Sequence, residues 1–194
     1  MNNLVNVHLK RSGHCWASAH HAVKGDKRQR IRFDALWAEI HHPTHGLVLF
    51  DTGYTARFHQ ETRYWPNRLY ARLTEVEILP CDEAHQQVDA AEVKHVLLSH
   101  LHADHVGGLR DFHQAEIWAS QAAVQQFQKT PRWRAVAKGL LHGLFPEDWT
   151  KRWRAFELAN PVEHEHLGPG FDLFGDGSIQ VFSVPGHAAG QMGA

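Results

Sequence analysis

Residues 93–109, VKHVLLSHLHADHVGGL, decide the fold and the chemistry of this chain. They begin with a short apolar run, VKHVLLS, which is typical of a buried β-strand. The next six residues, HLHADH, contain four side chains that bind metal ions in proteins. Gly107 and Gly108 follow and let the backbone turn tightly beneath the cluster. A strand that leads into clustered ligands and then into a glycine pair predicts a metal centre.

The spacing of the four ligands divides them into two pairs. In a helix His100 and His102 would point about 200° apart, whereas an extended chain places both on one side. Asp104 and His105 lie beyond the strand end and can turn toward a second ion, as two-metal hydrolytic sites require. The sequence therefore predicts one ion at His100 and His102 and a second at Asp104 and His105.

Hydrolysis is the reaction that such a centre favours. A catalytic zinc site takes imidazole and carboxylate ligands and keeps one position for a water, whose pKa the metal lowers to about 7. The hydroxide would attack a carbonyl or phosphoryl centre, with Asp104 as a ligand and catalytic proton acceptor. Because the sequence indicates neither a Ser-His-Asp triad nor a phosphate-binding glycine loop, the metal hydroxide is the only nucleophile expected. We expect one or two Zn²⁺ ions, with iron and manganese left open.

Composition favours one domain over residues 1–194. The chain has 194 residues, of which 43% are hydrophobic, enough for one core and too few for two typical domains. With 20 lysines and arginines against 21 acidic residues, the formal charge of −1 indicates no strong attraction to nucleic acid or anionic lipid. Histidine is unusually frequent at 18 residues, and five of these are expected to be surface side chains: His41, His42, His45, His85 and His164.

Neither an export signal nor a disulfide framework is expected. The first residues, MNNLVNVHLKRSGHCW, contain only a short alternating apolar stretch, so we predict a cytoplasmic protein with no membrane partner. Cys15 and Cys81 lie far apart and form no CxxC pair, and both are expected to be plain thiols.

The rest of the chain alternates strand and helix signals, which predicts an α/β fold. The apolar patterns predict strands at residues 4–10, at 30–40 with a bend, at 47–50, 93–99 and 115–119, and a hairpin over 171–184. Helices are expected at 67–73 and, capped by Ser120, at 121–128. Residues 57–66 are expected to form a loop. An amphipathic helix over 131–144 is predicted to cover the site.

Three motifs together resemble the metallo-β-lactamase superfamily. They are Asp51 at the end of LVLFDTG, the HLHADH cluster, and His187 in VFSVPGHAAGQ. The resemblance implies an αββα sandwich of the α/β (α+β) class, in which His100, His102 and His187 hold the first metal. It implies that Asp104 and His105 hold the second metal. Asp51 would support the ligand loop without touching metal, as an outer carboxylate that orients ligands.

Within that superfamily the segments most resemble the N-acyl homoserine lactonase and small-ester hydrolase branch. The expected substrate is therefore a lactone or other small ester, hydrolysed by the zinc hydroxide. Hydroxyacylglutathione hydrolases and tRNA-maturing ribonucleases share the same histidine motif. The presence of His102 argues against the di-iron flavoprotein branch, which usually has glutamate there.

The sequence departs from the family pattern after His187. Family members continue with an aspartate that bridges both metals and a final histidine, but this chain ends at Ala194 with neither. The C-terminal part of the second half of the sandwich is thus predicted to be missing, and the second metal to bind weakly. A fragment, a truncated gene product and completion by another chain all stay open.

Two other functions stay open beside ester hydrolysis. A metal-dependent phosphodiesterase or nuclease is suggested by two basic and aromatic tracts, residues 132–134 and 151–154, which could grip a single strand. A solvated amphipathic helix that covers the pocket and lines it for an apolar substrate is the favoured interpretation of these tracts, so nucleic acid is not the expected partner. A truncated, non-catalytic metal-binding relic is the other alternative. The oligomeric state is open, with a dimer among the options.

Overall fold

Two β-sheets form the framework of the computed structural model, which describes residues 4–19 and 29–194. The larger sheet has seven strands in the order β4-β1-β2-β3-β5-β6-β7. These strands are β1 (Asn6–Ser18), β2 (Arg30–His42), β3 (Gly46–Phe50), β4 (Glu75–Glu77), β5 (Val93–Leu97), β6 (Glu116–Ala119) and β7 (Trp153–Ala155). β1, β2, β3 and β4 pair in antiparallel fashion, whereas β3, β5, β6 and β7 pair in parallel. The parallel half therefore brings the carboxyl ends of β3 and β5 to one edge.

The smaller sheet has four antiparallel strands in the order β11-β10-β9-β8. They are β8 (Asn160–His164), β9 (Gly168–Asp172), β10 (Gln180–Ser183) and β11 (Met192–Gly193). The hairpin expected over residues 171–184 corresponds to β9 and β10. Its turn is held by the Asp172 carboxylate, which accepts hydrogen bonds from the amides of Gly175 at 3.0 Å and Gly177 at 2.8 Å.

Within the described residues, seven short helices connect the strands. They are α1 (Arg57–Glu61), α2 (Arg68–Leu73), α3 (Ala84–Gln87), α4 (Ala103–Val106), α5 (Gln121–Lys129), α6 (Arg132–Ala135) and α7 (Trp149–Arg152). The predicted cap of α5 is confirmed, because Ser120 Oγ accepts a hydrogen bond from the Ala123 amide at 3.2 Å. The helix expected over residues 67–73 is α2.

Alternate residues of the central strands face two different layers. Leu47 and Leu49 of β3 pack with the helices, while Val48 between them packs with the second sheet. In β5, Val96 faces the helices and Leu97 the second sheet. Both faces are buried, which is why these strands read as continuous apolar runs. The layers therefore run from helices through the large sheet to the small sheet, which are three successive layers of the expected αββα sandwich.

The prediction of one continuous helix over residues 131–144 is wrong. α6 ends at Ala135, a 3₁₀ turn spans Val136–Lys138, and a second spans His142–Leu144. Between the turns Gly139 has a φ of +69°, in the left-handed region that glycine adopts at little cost. The amphipathic pattern was real, but the helix is broken where its backbone meets a side chain of the ligand cluster.

Several other expectations need correction. β1 runs to Ser18, well beyond its expected end at residue 10, whereas β2 ends at His42, within two residues of the expectation. Residues 57–66 include α1 instead of a plain loop. His42 is buried rather than exposed, because it packs against the Phe174 ring at 5.1 Å and its Nε2 lies 2.8 Å from Ser178 Oγ. Both cysteines are free, as predicted.

No helix in the described ranges is long and apolar enough to cross a membrane. The assignment of residues 1–194 to one domain and the cytoplasmic location stay predictions.

Candidate metal centre

Asp51 lies where the carboxyl ends of β3 and β5 meet. Its amide donates a hydrogen bond of 2.8 Å to the Leu97 carbonyl, which ties the end of one strand to the end of the other. Its φ is +64°, a left-handed conformation that aspartate tolerates better than most residues. The turn directs the carboxylate away from solvent, toward the ligand loop that follows β5.

The Asp51 carboxylate and the Ser99 hydroxyl organise two of the imidazoles. Asp51 Oδ1 accepts a hydrogen bond from the Ser99 amide at 2.8 Å, and Oδ2 accepts one from Ser99 Oγ at 2.7 Å. Asp51 Oδ2 also lies 2.7 Å from Nδ1 of His105, and Ser99 Oγ lies 3.0 Å from Nδ1 of His100. Because the acceptors face both Nδ1 atoms, each ring carries a proton there and turns its Nε2 toward the centre of the cluster.

His100 has an unsatisfied nitrogen at the centre of the cluster. Its Nε2 is buried and has no hydrogen-bond partner among the residues that the structure describes. A buried imidazole nitrogen without a partner is costly, and a metal ion would satisfy its lone pair. The residues therefore fit a bound metal.

Two groups of ligand atoms share His100. In the first, the ligand atoms of His100, His102 and His187 lie within 4.8 Å of one another, and His102 Nδ1 is 3.0 Å from His187 Nε2. In the second, His100 joins Asp104 and His105, whose Oδ2 and Nε2 atoms are 3.2 Å apart. The structure thus brings together all five expected ligands, with Asp51 behind them.

The pKa values of the clustered side chains favour the binding of a cation. Burial, reinforced by the imidazoles of His105 and His102, lowers the pKa of His100 to about 2, and burial lowers that of His102 to about 4. Burial acts to raise the pKa of Asp104, but the neighbouring imidazoles outweigh it and hold that pKa below its usual value. Burial acts to lower the pKa of His105, but Asp51 and Asp104 raise it well above the ordinary value. The carboxylates of Asp51 and Asp104 therefore favour a positive charge between them and the neutral rings of His100 and His102. A proton or a metal ion could supply that charge.

Glycines allow the backbone to approach the cluster from two sides. A Cβ at Gly107 would lie 2.5 Å from the Gly53 carbonyl oxygen, and one at Gly108 would lie 2.9 Å from that of Thr52, as the predicted tight passage requires. A Cβ at Gly139 would lie 2.8 Å from Cδ2 of the His102 ring. The segment expected to cover the site therefore contacts it at Gly139, through a turn and not a helix.

Two further histidine clusters are explained by structural contacts. In the group His42, His45 and Asp176, Nδ1 of His42 accepts hydrogen bonds from the amides of Thr44 and His45. The Nε2 atom is therefore the donor, and it lies 2.8 Å from Ser178 Oγ. In the group Glu83, His85 and Asp111, the guanidinium of Arg57 binds Asp111 and opposes a second cation. His85 Nδ1, like His100 Nε2, is buried without a hydrogen-bond partner among the described residues, but it lies 3.5 Å from the Glu83 carboxylate and 3.4 Å from that of Asp111.

Ser99 and Gly139 escaped the sequence-based analysis. Ser99 directly precedes the ligand cluster, so its position was the available signal, but its contact with Asp51 joins residues 48 positions apart. Gly139 lies inside an amphipathic pattern that is typical of a helix, and the glycine itself was the available signal that the helix could end there. Arg152, part of the second basic tract, is also structural: its guanidinium donates to the carbonyls of Phe112 and Ala115 at 2.9 and 2.8 Å.

Residues 39–193 match the profile of the Metallo-beta-lactamase superfamily. The chain belongs to this superfamily. The match begins within β2 and includes Asp51, the ligand loop and His187, so it covers the whole metal centre. The expected family is thereby confirmed.

Curated metallo-beta-lactamase relatives include lactonases. The N-acyl homoserine lactonase AttM of Agrobacterium fabrum is 31% identical over 104 residues, which are 54% of this chain and 36% of the relative. The probable metallo-hydrolase Rv2300c of Mycobacterium tuberculosis is 27% identical over 163 residues, 75% of this chain and 47% of the relative. The chain thus spans about a third to a half of the length of these relatives.

Solved structures support the same metallo-beta-lactamase fold. AiiA of B. thuringiensis, with N-decanoyl-L-homoserine at its active site, has a TM-score of 0.68 at 13% identity, covering 99% of this chain and 70% of that one. A probable metal-dependent hydrolase of Staphylococcus aureus has a TM-score of 0.64 at 17% identity, covering 99% and 69%. These likenesses confirm the predicted fold class, and the comparisons give no support to a dimer.

Proposed function

We propose that this chain is a metal-dependent hydrolase of a lactone or another small ester. The first zinc ion would be held by His100, His102 and His187, and a second by Asp104 and His105. The observation that carries the proposal is the buried, unpartnered Nε2 of His100, which lies in both groups of ligand atoms. Iron or manganese would suit the same mixed imidazole and carboxylate donors.

Each residue would have a definite task. A bound zinc ion would polarise the substrate carbonyl and activate a water. Asp51 and Ser99 would hold the rings of His100 and His105 with Nε2 toward the centre. Asp104, whose pKa is lowered by its imidazole neighbours, would stay ionised at neutral pH and could accept the proton released during hydrolysis.

The substrate class is proposed from the relatives. AttM is an N-acyl homoserine lactonase, and AiiA binds N-decanoyl-L-homoserine at its active site. A cyclic ester that carries an acyl chain is therefore the first substrate to test. The phosphodiesterase alternative has lost support, because Arg152 of the second basic tract is engaged by carbonyls and by Asp148.

A metal-reconstitution assay tests this function. The 194-residue chain, loaded with zinc, should open N-acyl homoserine lactones or cleave a para-nitrophenyl ester, a chelator should abolish turnover, and zinc should restore it. His100→Ala should lose activity and bound metal, whereas His164→Ala, an exposed histidine outside the centre, should keep both. Bound zinc without turnover of esters or phosphodiesters would instead indicate a non-catalytic metal-binding chain. Absence of bound zinc would overturn the metal centre itself.

A further inference from the structure

Seven cations lie without carboxylate partners on a surface formed by residues 62–73 and 129–145, which we call the cationic cover. All seven are exposed, and none forms an ion pair within the described part of the chain. Neither segment contains an aspartate or a glutamate. The seven cations are Arg63, Arg68, Arg72, Lys129, Arg132, Arg134 and Lys138.

Cations elsewhere in the structure are mostly neutralised. Seven contact carboxylates: Lys10, Arg11, Arg30, Arg32, Arg57, Arg152 and Arg154. The whole chain has 20 cations and 21 acidic residues. The formal charge of −1 is therefore the sum of a positively charged cover and a negatively charged remainder. Local potential depends on that distribution, which the net charge does not report.

The two segments form one continuous surface. α2 of the first segment contacts the 3₁₀ turn Val136–Lys138 of the second. Asn67 from one segment and Arg132 and His142 from the other line a common cavity of about 40 Å³, together with Glu61, which directly precedes the first segment. That volume has room for a few waters at most, so a partner must bind across the outer surface and not between the segments.

The cationic cover also exposes large apolar side chains. Trp65 is 72% exposed and Trp133 is 65% exposed, and Tyr64, Leu69 and Leu73 are exposed as well. Tryptophan and tyrosine favour the boundary between water and lipid, where one end of the ring is apolar and the other is hydrated. Basic side chains beside them attract anionic headgroups.

We propose that the cationic cover is a peripheral binding surface for anionic phospholipid. The aromatic rings and leucines would enter the headgroup region while the cations meet the phosphates. The inference does not depend on the proposed hydrolytic function. It has a consequence for the site, because Gly139 of the same segment lies against His102 and would hold the covered side of the metal centre near the lipid.

Nucleic acid fits the cationic cover less well. Single strands are gripped by bases that stack on open aromatic faces. Here Arg134 lies over the Trp133 ring at 4.4 Å, and Arg63 lies over the Tyr64 ring at 5.3 Å, so a face of each is already occupied. Exposed Leu69 and Leu73 have no counterpart on a nucleotide backbone but suit acyl chains.

Vesicle co-sedimentation with the 194-residue chain tests the proposal. Vesicles of phosphatidylcholine mixed with phosphatidylglycerol should bind the chain, and vesicles of phosphatidylcholine alone should bind it much less. Added salt should weaken the binding, because it screens exposed charges. Since each basic residue near an anionic surface contributes about a fivefold factor, Arg63→Glu with Arg134→Glu should reduce binding by more than about twentyfold.

Matched variants separate this surface from general effects. Lys94→Glu with Lys151→Glu makes the same charge change outside the cationic cover and should bind vesicles nearly as the natural chain does, beyond a small loss to its net charge. Trp65→Ala with Trp133→Ala should also weaken binding, whereas Leu158→Ala with Leu167→Ala, exposed apolar residues elsewhere, should not. Circular dichroism should show every variant folded. Equal loss in the control pairs, or salt-sensitive binding of single-stranded oligonucleotides without vesicle binding, would overturn the proposal.

Discussion

Ser99 Oγ donates a hydrogen bond of 2.7 Å to Asp51 Oδ2, and this contact lies at the base of the metal centre. It joins the turn after β3 to the residue that precedes the ligand cluster. From the same two side chains, contacts reach Nδ1 of both His100 and His105. The pair therefore decides which nitrogen of each ring is presented as a ligand, and the expected support role of Asp51 has a concrete geometry.

Ser99→Ala should weaken zinc binding. The substitution removes the group that faces His100 Nδ1, and loss of such outer contacts typically costs ten- to a hundredfold in metal affinity, roughly. Titration of zinc against a chelating dye would measure the change. Ser99→Thr, which keeps the hydroxyl, should restore most of the affinity, and Ser183→Ala, on an exposed serine, should have no effect. Equal affinity in Ser99→Ala and the natural chain would contradict this role.

Asp51→Asn should reduce the affinity for the second ion more than for the first. Asparagine accepts the left-handed backbone that Asp51 adopts, so the turn should survive. Where Asp51 Oδ2 becomes an amide NH₂, that group can only donate, so it accepts from neither Ser99 Oγ nor His105 Nδ1, and the His105 ring loses its support. Elemental analysis of the zinc-loaded variant would measure stoichiometry. Asp89→Asn, in an exposed turn, is the control, and an unchanged stoichiometry in Asp51→Asn would count against the arrangement.

Gly139→Ala should destabilise the chain more than Gly177→Ala does. Both glycines have left-handed φ angles, +69° and +78°, so alanine costs roughly 1–2 kcal/mol of unfolding free energy at each. A Cβ at Gly177 meets open space, but one at Gly139 would lie 2.8 Å from the His102 ring. Urea unfolding would give the difference, and zinc affinity should fall only in Gly139→Ala. Equal costs at both positions would show that the turn does not constrain His102.

Cys15 should resist thiol reagents in the folded chain. Burial, assisted by the Asp104 carboxylate, raises the pKa of the Cys15 thiol to about 11. Since only the thiolate reacts, about one part in a thousand is reactive near pH 8, and reactivity should rise as the pH approaches 11. A colorimetric thiol assay should therefore count one fast thiol, the exposed Cys81, in the folded chain and two in denaturant. Cys81→Ser should abolish the fast phase. Rapid reaction of Cys15 in the folded chain would contradict its burial.

The local sequence predicted the elements that depend on short-range pattern. The strand before the ligand cluster, the Ser120 cap and the hairpin around Asp172 each follow from neighbours in the chain, and the structure confirms them. The helix over residues 131–144 failed because its break depends on the contact between Gly139 and His102, which are 37 residues apart. The buried state of His42 likewise depends on Ser178, 136 residues away.

The sequence by itself determined the six residues of the candidate metal centre, because HLHADH and the segments around Asp51 and His187 carry their chemistry in residue type and spacing. Only the tertiary structure decided how these residues act together. The parallel pairing of β3 with β5 places Asp51 behind the cluster, Ser99 links it to two rings, and His187 returns from the second sheet to lie 3.0 Å from His102. The reason is physical: ligand identity is a property of a side chain, whereas its tautomer, burial and partners are properties of distant residues that packing brings into contact.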